Sequence, residues 1–259
     1  MLFSANLGFL FTDRPLPDAI RAAARAGFAA VECHFPYDFA AAEVRAALEE
    51  TDLPMLGLNT WPGDRAAGDF GLAALTGREE EARAVIRQAV EYAQAIGAGA
   101  VHVMAGCTNG GAEAEAVFRA NLVYACDLAA PLGLTILIEP INTRDVPGYH
   151  LSSTAHAASV IAALRRGNLR MMFDCYHLQI MEGDLLRRFA RYQPIIGHVQ
   201  FAGVPDRGAP DQGEVDYRWL LPQIAALGWQ GPFGAEYRPG DSGTEASLAW
   251  MSWFGATAD

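Results

Sequence analysis

Four polar residues in the second half of the chain each stand directly after an apolar run. Glu139 follows Thr135-Ile136-Leu137-Ile138, Asp174 follows Met171-Met172-Phe173, Gln200 follows Ile196-Gly197-His198-Val199, and Glu236 follows Phe233-Gly234-Ala235. Short apolar runs of this kind read as strands covered on both faces. Pro140 ends the first of them, because proline has no N–H to give a ladder. A buried carboxylate without a partner is costly, and three brought together repel and shift one another's pKa. A divalent cation removes that repulsion. Three carboxylates and an amide oxygen suit a hard ion, Mg²⁺ or Mn²⁺, better than zinc. Any one of the four would pass for a satisfied polar group at a strand end; four in succession point to a site.

Such a site needs neighbouring strands that end on one rim. Apolar runs at about 2–7, 29–33, 54–59, 100–104, 135–138, 170–173, 195–201 and 233–237 alternate with helical patterns. The helices fall at about 16–26, 40–49, 79–96, 114–130, 154–164, 184–191, 217–227 and 244–254. Glu79, Glu80 and Glu81 suit the positive end of the third helix, and Gly97 suits its exit. Eight strand–helix units in 259 residues predict a single (β/α)8 TIM barrel occupying residues 1–259 as one domain. In such barrels the site lies at the carboxyl ends of the strands. A doubly wound open sheet is the alternative, but no phosphate-binding glycine fingerprint follows the first strand. The long loop through Trp61, Pro62 and Gly63 is expected to be functional.

Composition narrows the chemistry. The chain is 51% hydrophobic, enough for a full core and against disorder. No apolar run reaches the roughly 18 residues of a membrane span. No basic stretch precedes the apolar N-terminal residues, which therefore read as a first strand and not a signal peptide. Cys33, Cys107, Cys126 and Cys175 lack paired or metal spacing, so free thiols in a reducing cytoplasm are expected. The net charge of −11 argues against a nucleic-acid partner. All 19 basic residues are arginine. Without lysine, Schiff-base aldolases and lysine-bound pyridoxal phosphate are excluded.

The stretches Leu137-Ile138-Glu139-Pro140-Ile141-Asn142-Thr143-Arg144, Phe173-Asp174-Cys175-Tyr176-His177, Gly197-His198-Val199-Gln200 and Gly234-Ala235-Glu236-Tyr237 resemble the hydroxypyruvate isomerase family. Met181-Glu182-Gly183-Asp184 and Gly213-Glu214-Val215-Asp216-Tyr217 extend the resemblance along the chain. These proteins are xylose-isomerase-like barrels. The resemblance implies a metal held by Glu139, Asp174, Gln200 and Glu236, with Glu139 and Glu236 exchanging protons with the substrate. It implies conversion of hydroxypyruvate to tartronate semialdehyde through an enediolate. Related keto-sugar 3-epimerases usually carry histidine as third ligand, and Gln200 favours the hydroxypyruvate branch. His177 is expected in the loop after the sixth strand, three residues past Asp174, and by that position and the resemblance it is expected to touch the substrate. A small hydroxy-oxo acid needs a cation, and Arg207 is the first candidate, Arg144 the weaker one. His34 and Trp61 are further candidates for the pocket wall. His102 reads as pointing into the barrel, and Trp250 and Trp253 as core. The competing readings are a 2-oxo-tetronate isomerase, a keto-sugar 3-epimerase, a nuclease for abasic DNA and a non-catalytic binding barrel. An exposed barrel face could also support a homo-oligomer.

Overall fold

The expected alternation is present throughout the computed structural model, which describes residues 1–255. The last four positions of the expected 1–259 domain lie outside the described residues. The strands are β1 (Phe3–Asn6), β2 (Ala30–Glu32), β3 (Leu58–Asn59), β4 (Ala100–His102), β5 (Thr135–Ile138), β6 (Leu169–Asp174), β7 (Ile196–Phe201) and β8 (Phe233–Ala235). The helices are α1 (Leu16–Arg25), α2 (Ala41–Thr51), α3 (Glu79–Ile96), α4 (Ala112–Ala129), α5 (Thr154–Leu164), α6 (Cys175–Met181), α7 (Leu185–Tyr192), α8 (Tyr217–Ala226) and α9 (Gly243–Ala246). All strand pairs are parallel, in the order β2-β1-β8-β7-β6-β5-β4-β3. The seam between β2 and the chain before β3 closes through three backbone bonds. Val31 N–H donates to Pro54 O at 3.0 Å, Leu56 N–H to Val31 O at 2.7 Å, and Cys33 N–H to Gly57 O at 3.1 Å. The expected third strand is therefore present, but only its end is regular.

The pleat divides each strand between two cores, because successive side chains face opposite sides. Ile136, Ile138, Met171, Phe173, Val199 and Phe201 face outward and pack with the helices. Ala100, Leu137 and Met172 form a separate apolar floor inside the barrel. Two residues further along, the same inward positions hold His102, Glu139 and Asp174. An apolar run followed by a carboxylate thus becomes a dry floor with a polar rim.

Two elements differ from expectation. Helix α6 begins directly after Asp174, with no loop between, because Asp174 acts as its own N-cap and accepts Tyr176 N–H at 2.8 Å. His177 consequently lies on a helix. The expected last helix is broken into α9 and a 3₁₀ turn over Ala249–Phe254. At the break, the Ser247 hydroxyl donates to Thr244 O at 2.7 Å, a local bond that competes with helix propagation. The four cysteines are free thiols.

Trp250 fastens that terminal turn to the barrel. Its ring stands edge-on to Phe3 (centroids 4.9 Å apart, planes at 87°) and Phe201 (5.3 Å, 87°), and its Nε1–H donates to Tyr237 OH at 3.1 Å. Trp253 is only half-buried. Replacing Trp250 by alanine is expected to cost about 3–5 kcal/mol, read as a lower denaturant midpoint, whereas Trp253→Ala should cost clearly less.

Candidate active site

A cavity of about 320 Å³ opens at the carboxyl ends of the strands, and its lining includes His34, His102, Glu139, His177, Arg207 and Glu236. That is the low end of the roughly 300–1,000 Å³ typical of small-ligand sites. The order of strands explains the convergence. Glu139, Asp174, Gln200 and Glu236 come from or directly follow β5, β6, β7 and β8, which are adjacent staves.

Arg207 is the charge about which the site is arranged. It lies on the loop after β7 with its backbone in the left-handed region (φ 54°), a conformation that costs a side-chain-bearing residue roughly 1–2 kcal/mol. One guanidinium nitrogen, Nη2, donates to Glu236 Oε2 at 2.8 Å and to Asp174 Oδ2 at 3.2 Å. The other, Nη1, stands 3.1 Å from His177 Nε2. The guanidinium is flanked by the rings of Tyr176 and Phe9, at 4.9 and 5.1 Å from their centroids. Glu236 is bound on both oxygens, since His34 Nε2 meets Oε1 at 2.7 Å. Gly8 makes room for that histidine: a Cβ there would sit 2.1 Å from His34 Nδ1.

His177 is held from behind by Asn142, whose amide nitrogen lies 2.7 Å and backbone nitrogen 3.3 Å from Nδ1. The backbone N–H can only donate, so Nδ1 is the acceptor and the ring proton belongs on Nε2. Arginine also only donates. The contact between Nε2–H and Arg207 therefore sets donor against donor, and it is relieved when Arg207 turns to an anion. Burial, and then the Arg207 charge, hold the His177 pKa well below its ordinary value.

The two glutamates that face the cavity have their pKa values pushed in opposite directions. Burial would raise Glu236, but Arg207 and the bond from His34 outweigh it and keep the carboxylate ionised. Glu139 has no such partner. Its Oε1 accepts no hydrogen bond, and His102 and His177 each stand 3.7 Å away. Burial first, then the charges of Glu236 and Asp174, push Glu139 well above the carboxylate range. Asp174 is moved upward by burial as well, opposed by Arg207. Burial holds His102 neutral, with its pKa lowered to about 4.

Below these groups lies a second polar layer that sequence reasoning missed. Glu32, at the end of β2, is buried and accepts from Ser4 Oγ at 3.1 Å, His198 Nε2 at 2.9 Å and Gln200 Nε2 at 2.9 Å. Glu32's charge overcomes burial and raises the His198 pKa. A carboxylate only accepts, so Glu32 fixes the Gln200 amide: nitrogen toward itself, Oε1 elsewhere. Gln200 Oε1 is buried and has no partner. Gly234 leaves the space for this layer, since a Cβ there would lie 2.2 Å from Glu32 Oε1. A signal for Glu32 was present, a carboxylate closing the short run Ala29-Ala30-Val31, but on a strand remote from the other four in sequence.

The donor set fits a cation. Glu139 Oε1 and Gln200 Oε1 are orphaned buried acceptors, and donor atoms of Glu139, Asp174 and His177 lie within 4.8 Å of one another. Of the six expected site residues, Glu139, Asp174, His177 and Glu236 gather around a fifth, Arg207, or its partners; the sixth, Gln200, sits one layer deeper, in the lining of a small inner cavity with Glu32. Glu236 is tied to Arg207 and His34 and lies outside the three-residue cluster. His34 and His102 line the cavity as anticipated. Arg144 does not; it donates to Pro205 O at 2.6 Å and Tyr176 OH at 3.1 Å and is exposed. Trp61 packs on Phe35 and Tyr37 as a loop anchor.

A sequence profile described as Xylose isomerase-like TIM barrel matches residues 20–252. A 2-oxo-tetronate isomerase of Cupriavidus necator is 46% identical over 96% of this chain and 96% of its own. A hydroxypyruvate isomerase of Escherichia coli is 38% identical over 96% and 97%. The crystal structure of a protein from Brucella melitensis described as AP endonuclease, family 2, superposes with a TM-score of 0.93 at 41% identity, covering 97% of this chain and 98% of that one.

The pKa directions give a stability test on the metal-free protein. A raised folded-state pKa stabilises below the unfolded carboxyl value, about 4.3, and that stability is lost as pH rises through the folded value. Glu139→Gln removes this group, so the wild-type thermal midpoint, taken relative to that of the variant at each pH, should fall as the pH rises above about 4.3. Parallel curves for the two proteins would contradict the raised pKa of Glu139.

Proposed function

The chain is an isomerase of the xylose isomerase-like TIM barrel family, and on that premise we propose that it interconverts hydroxypyruvate and tartronate semialdehyde by proton transfer through an enediolate. One observation carries the reading: a single small cavity presents a glutamate paired with an arginine and a histidine, a second glutamate with an unpartnered oxygen, an imidazole and that same arginine. The arginine fork matches the substrate carboxylate. Drawn to it, Arg207 releases the His177 N–H to donate to the 2-oxo oxygen. Glu236 takes a proton from the carbon bearing the hydroxyl, and Glu139 returns one to the former carbonyl carbon; the hydroxyl proton passes to the former 2-oxo oxygen, so that the hydroxyl carbon becomes the aldehyde, and the two glutamates re-equilibrate with solvent before the next turnover. Groups whose environments push their pKa values apart suit such paired roles. Glu139, Asp174, Gln200 and Glu236 would hold a divalent ion, Mg²⁺ or Mn²⁺. When bound, that ion supplies Lewis-acid stabilisation of the charge developing on oxygen.

The 46% identity to a 2-oxo-tetronate isomerase favours a second reading, the four-carbon acid in the same site. Both substrates are 2-oxo acids with an adjacent hydroxyl carbon, and the same residues serve both. Cleavage of abasic DNA is disfavoured by the net charge of −11 and the small cavity.

The test is turnover by Mg²⁺- or Mn²⁺-loaded protein across hydroxypyruvate, 2-oxo-tetronate, fructose and an abasic duplex. Turnover of an oxo acid is expected, with one deuterium entering the product in D₂O; turnover of the sugar or the duplex alone would overturn the assignment. Glu139→Gln and Glu236→Gln should each lower kcat by about a hundredfold to ten-thousandfold. Arg207→Lys should raise KM for the acid by roughly tenfold or more, since a lysine cannot make the forked pair.

A further inference from the structure

Two imidazoles and a carboxylate meet at a point that the isomerase reading does not use. Glu115 stands in the first turns of α4, His156 in the first turn of α5, and His150 on the segment between β5 and α5. None of the three lines the cavity. His150 Nε2 lies 3.1 Å and His156 Nε2 2.9 Å from the same atom, Glu115 Oε2. One donor atom from each residue falls within 4.8 Å of the others.

We propose that Glu115, His150 and His156 form a second metal site, for a borderline transition ion such as Zn²⁺, which clips the starts of α4 and α5 to the segment that carries Asn142 and Asp145.

The ligand types select the ion. Two imidazole nitrogens and one carboxylate oxygen, with a fourth position open to water, is a zinc set, whereas Mg²⁺ prefers oxygen throughout. Donor atoms around a tetrahedral ion with bonds near 2.0 Å stand roughly 3.3 Å apart. Both nitrogen–oxygen separations already lie within a few tenths of an ångström of that spacing. Outer partners are also in place, as zinc ligands require. Thr108 Oγ1 is 3.0 Å from His150 Nδ1, placed to accept its proton when Nε2 turns its lone pair to a metal. Arg119 occupies the other carboxylate oxygen, Glu115 Oε1, at 2.6 Å, which leaves Oε2 to the histidines.

Charge and access agree. Burial opposes ionisation of Glu115, but the bonds from His156, Arg119 and His150 hold its pKa at about 2. Burial lowers the His150 pKa, favouring the neutral ring a metal needs. The side chain of His156 is 30% exposed and that of Glu115 23%, which gives an ion a way in. The cluster is joined to the cavity wall through the backbone. His150 N–H donates to Gly106 O at 2.9 Å, and the same segment begins with Asn142, which holds His177.

The full-length protein carrying Glu139→Gln and Glu236→Gln, which weaken cation binding in the cavity, is stripped with chelator and titrated with Zn²⁺. Bound zinc per chain is counted by plasma mass spectrometry, and the thermal midpoint is followed. One zinc per chain and a midpoint raised by several degrees are expected. Adding His156→Ala should remove both effects, and Glu115→Gln, which keeps the side-chain shape, should weaken binding by at least about tenfold. In the otherwise native chain, His156→Ala should leave Mg²⁺-supported turnover unchanged. The same zinc count with and without His156→Ala, or no zinc bound at micromolar concentration, overturns the site. The count does not depend on turnover, so it stands or falls apart from the isomerase reading.

Discussion

Four carboxylates buried in the throat of one barrel demand counter-charge, and the way each obtains it organises everything above the apolar floor. Glu32 has His198, Ser4 and the Gln200 amide. Glu236 has Arg207 and His34. Asp174 shares Arg207 and caps a helix. Glu139 has none of these, and burial together with the charges of Glu236 and Asp174 raises its pKa well above the carboxylate range. In a medium where an unpaired charge is so costly, this uneven distribution gives four chemically similar side chains four different surroundings.

The backbone makes the distribution available. Inward positions recur every second residue, so each stave contributes a floor residue and then a rim residue. Glycines set where the rim groups have room. Gly234 opens space beneath the site for Glu32 and His198, and Gly8 opens it beside Glu236 for His34. The sharp entry from β6 into α6 places Asp174 and His177 on one side of the cavity without an intervening loop. Catalytic groups carried on strand ends and a capped helix are held more rigidly than groups on free loops. Arg207 is the exception. It is a loop residue in a strained conformation, and its side chain is the one for which a new anion would compete.

Similar barrels carry different chemistries, and function follows the residues grafted on the rim, not the fold. Here the rim combines two glutamates in different surroundings with an arginine and a constrained imidazole, the set on which the oxo-acid proposal rests. The Glu115, His150 and His156 cluster lies outside that set. It shows the same economy, in which a carboxylate and its imidazole partners neutralise one another in a geometry that an ion can take over.

Much of this was legible along the chain. Apolar runs ending in Glu139, Asp174, Gln200 and Glu236 marked strand ends, because burial on both faces leaves that signature and a polar residue can follow it only at a rim. The count of strand–helix units marked the barrel, because the period of each segment is set locally by its own residues. Arg207 was preferred to Arg144 on loop position, and of the two it is Arg207 that lines the cavity. The remainder depended on contacts between distant residues. Glu32 meets His198 across more than half the sequence, and no local pattern records that meeting. His177 was expected in a loop because nothing in Cys175-Tyr176-His177 announces that Asp174 caps a helix. The difference in partners between Glu139 and Glu236 was likewise invisible, since both follow similar apolar runs. Residue type and spacing determined which groups reach the rim; only the closed barrel decided which charges they meet there, because electrostatic energy depends on distance in space and not on separation along the chain.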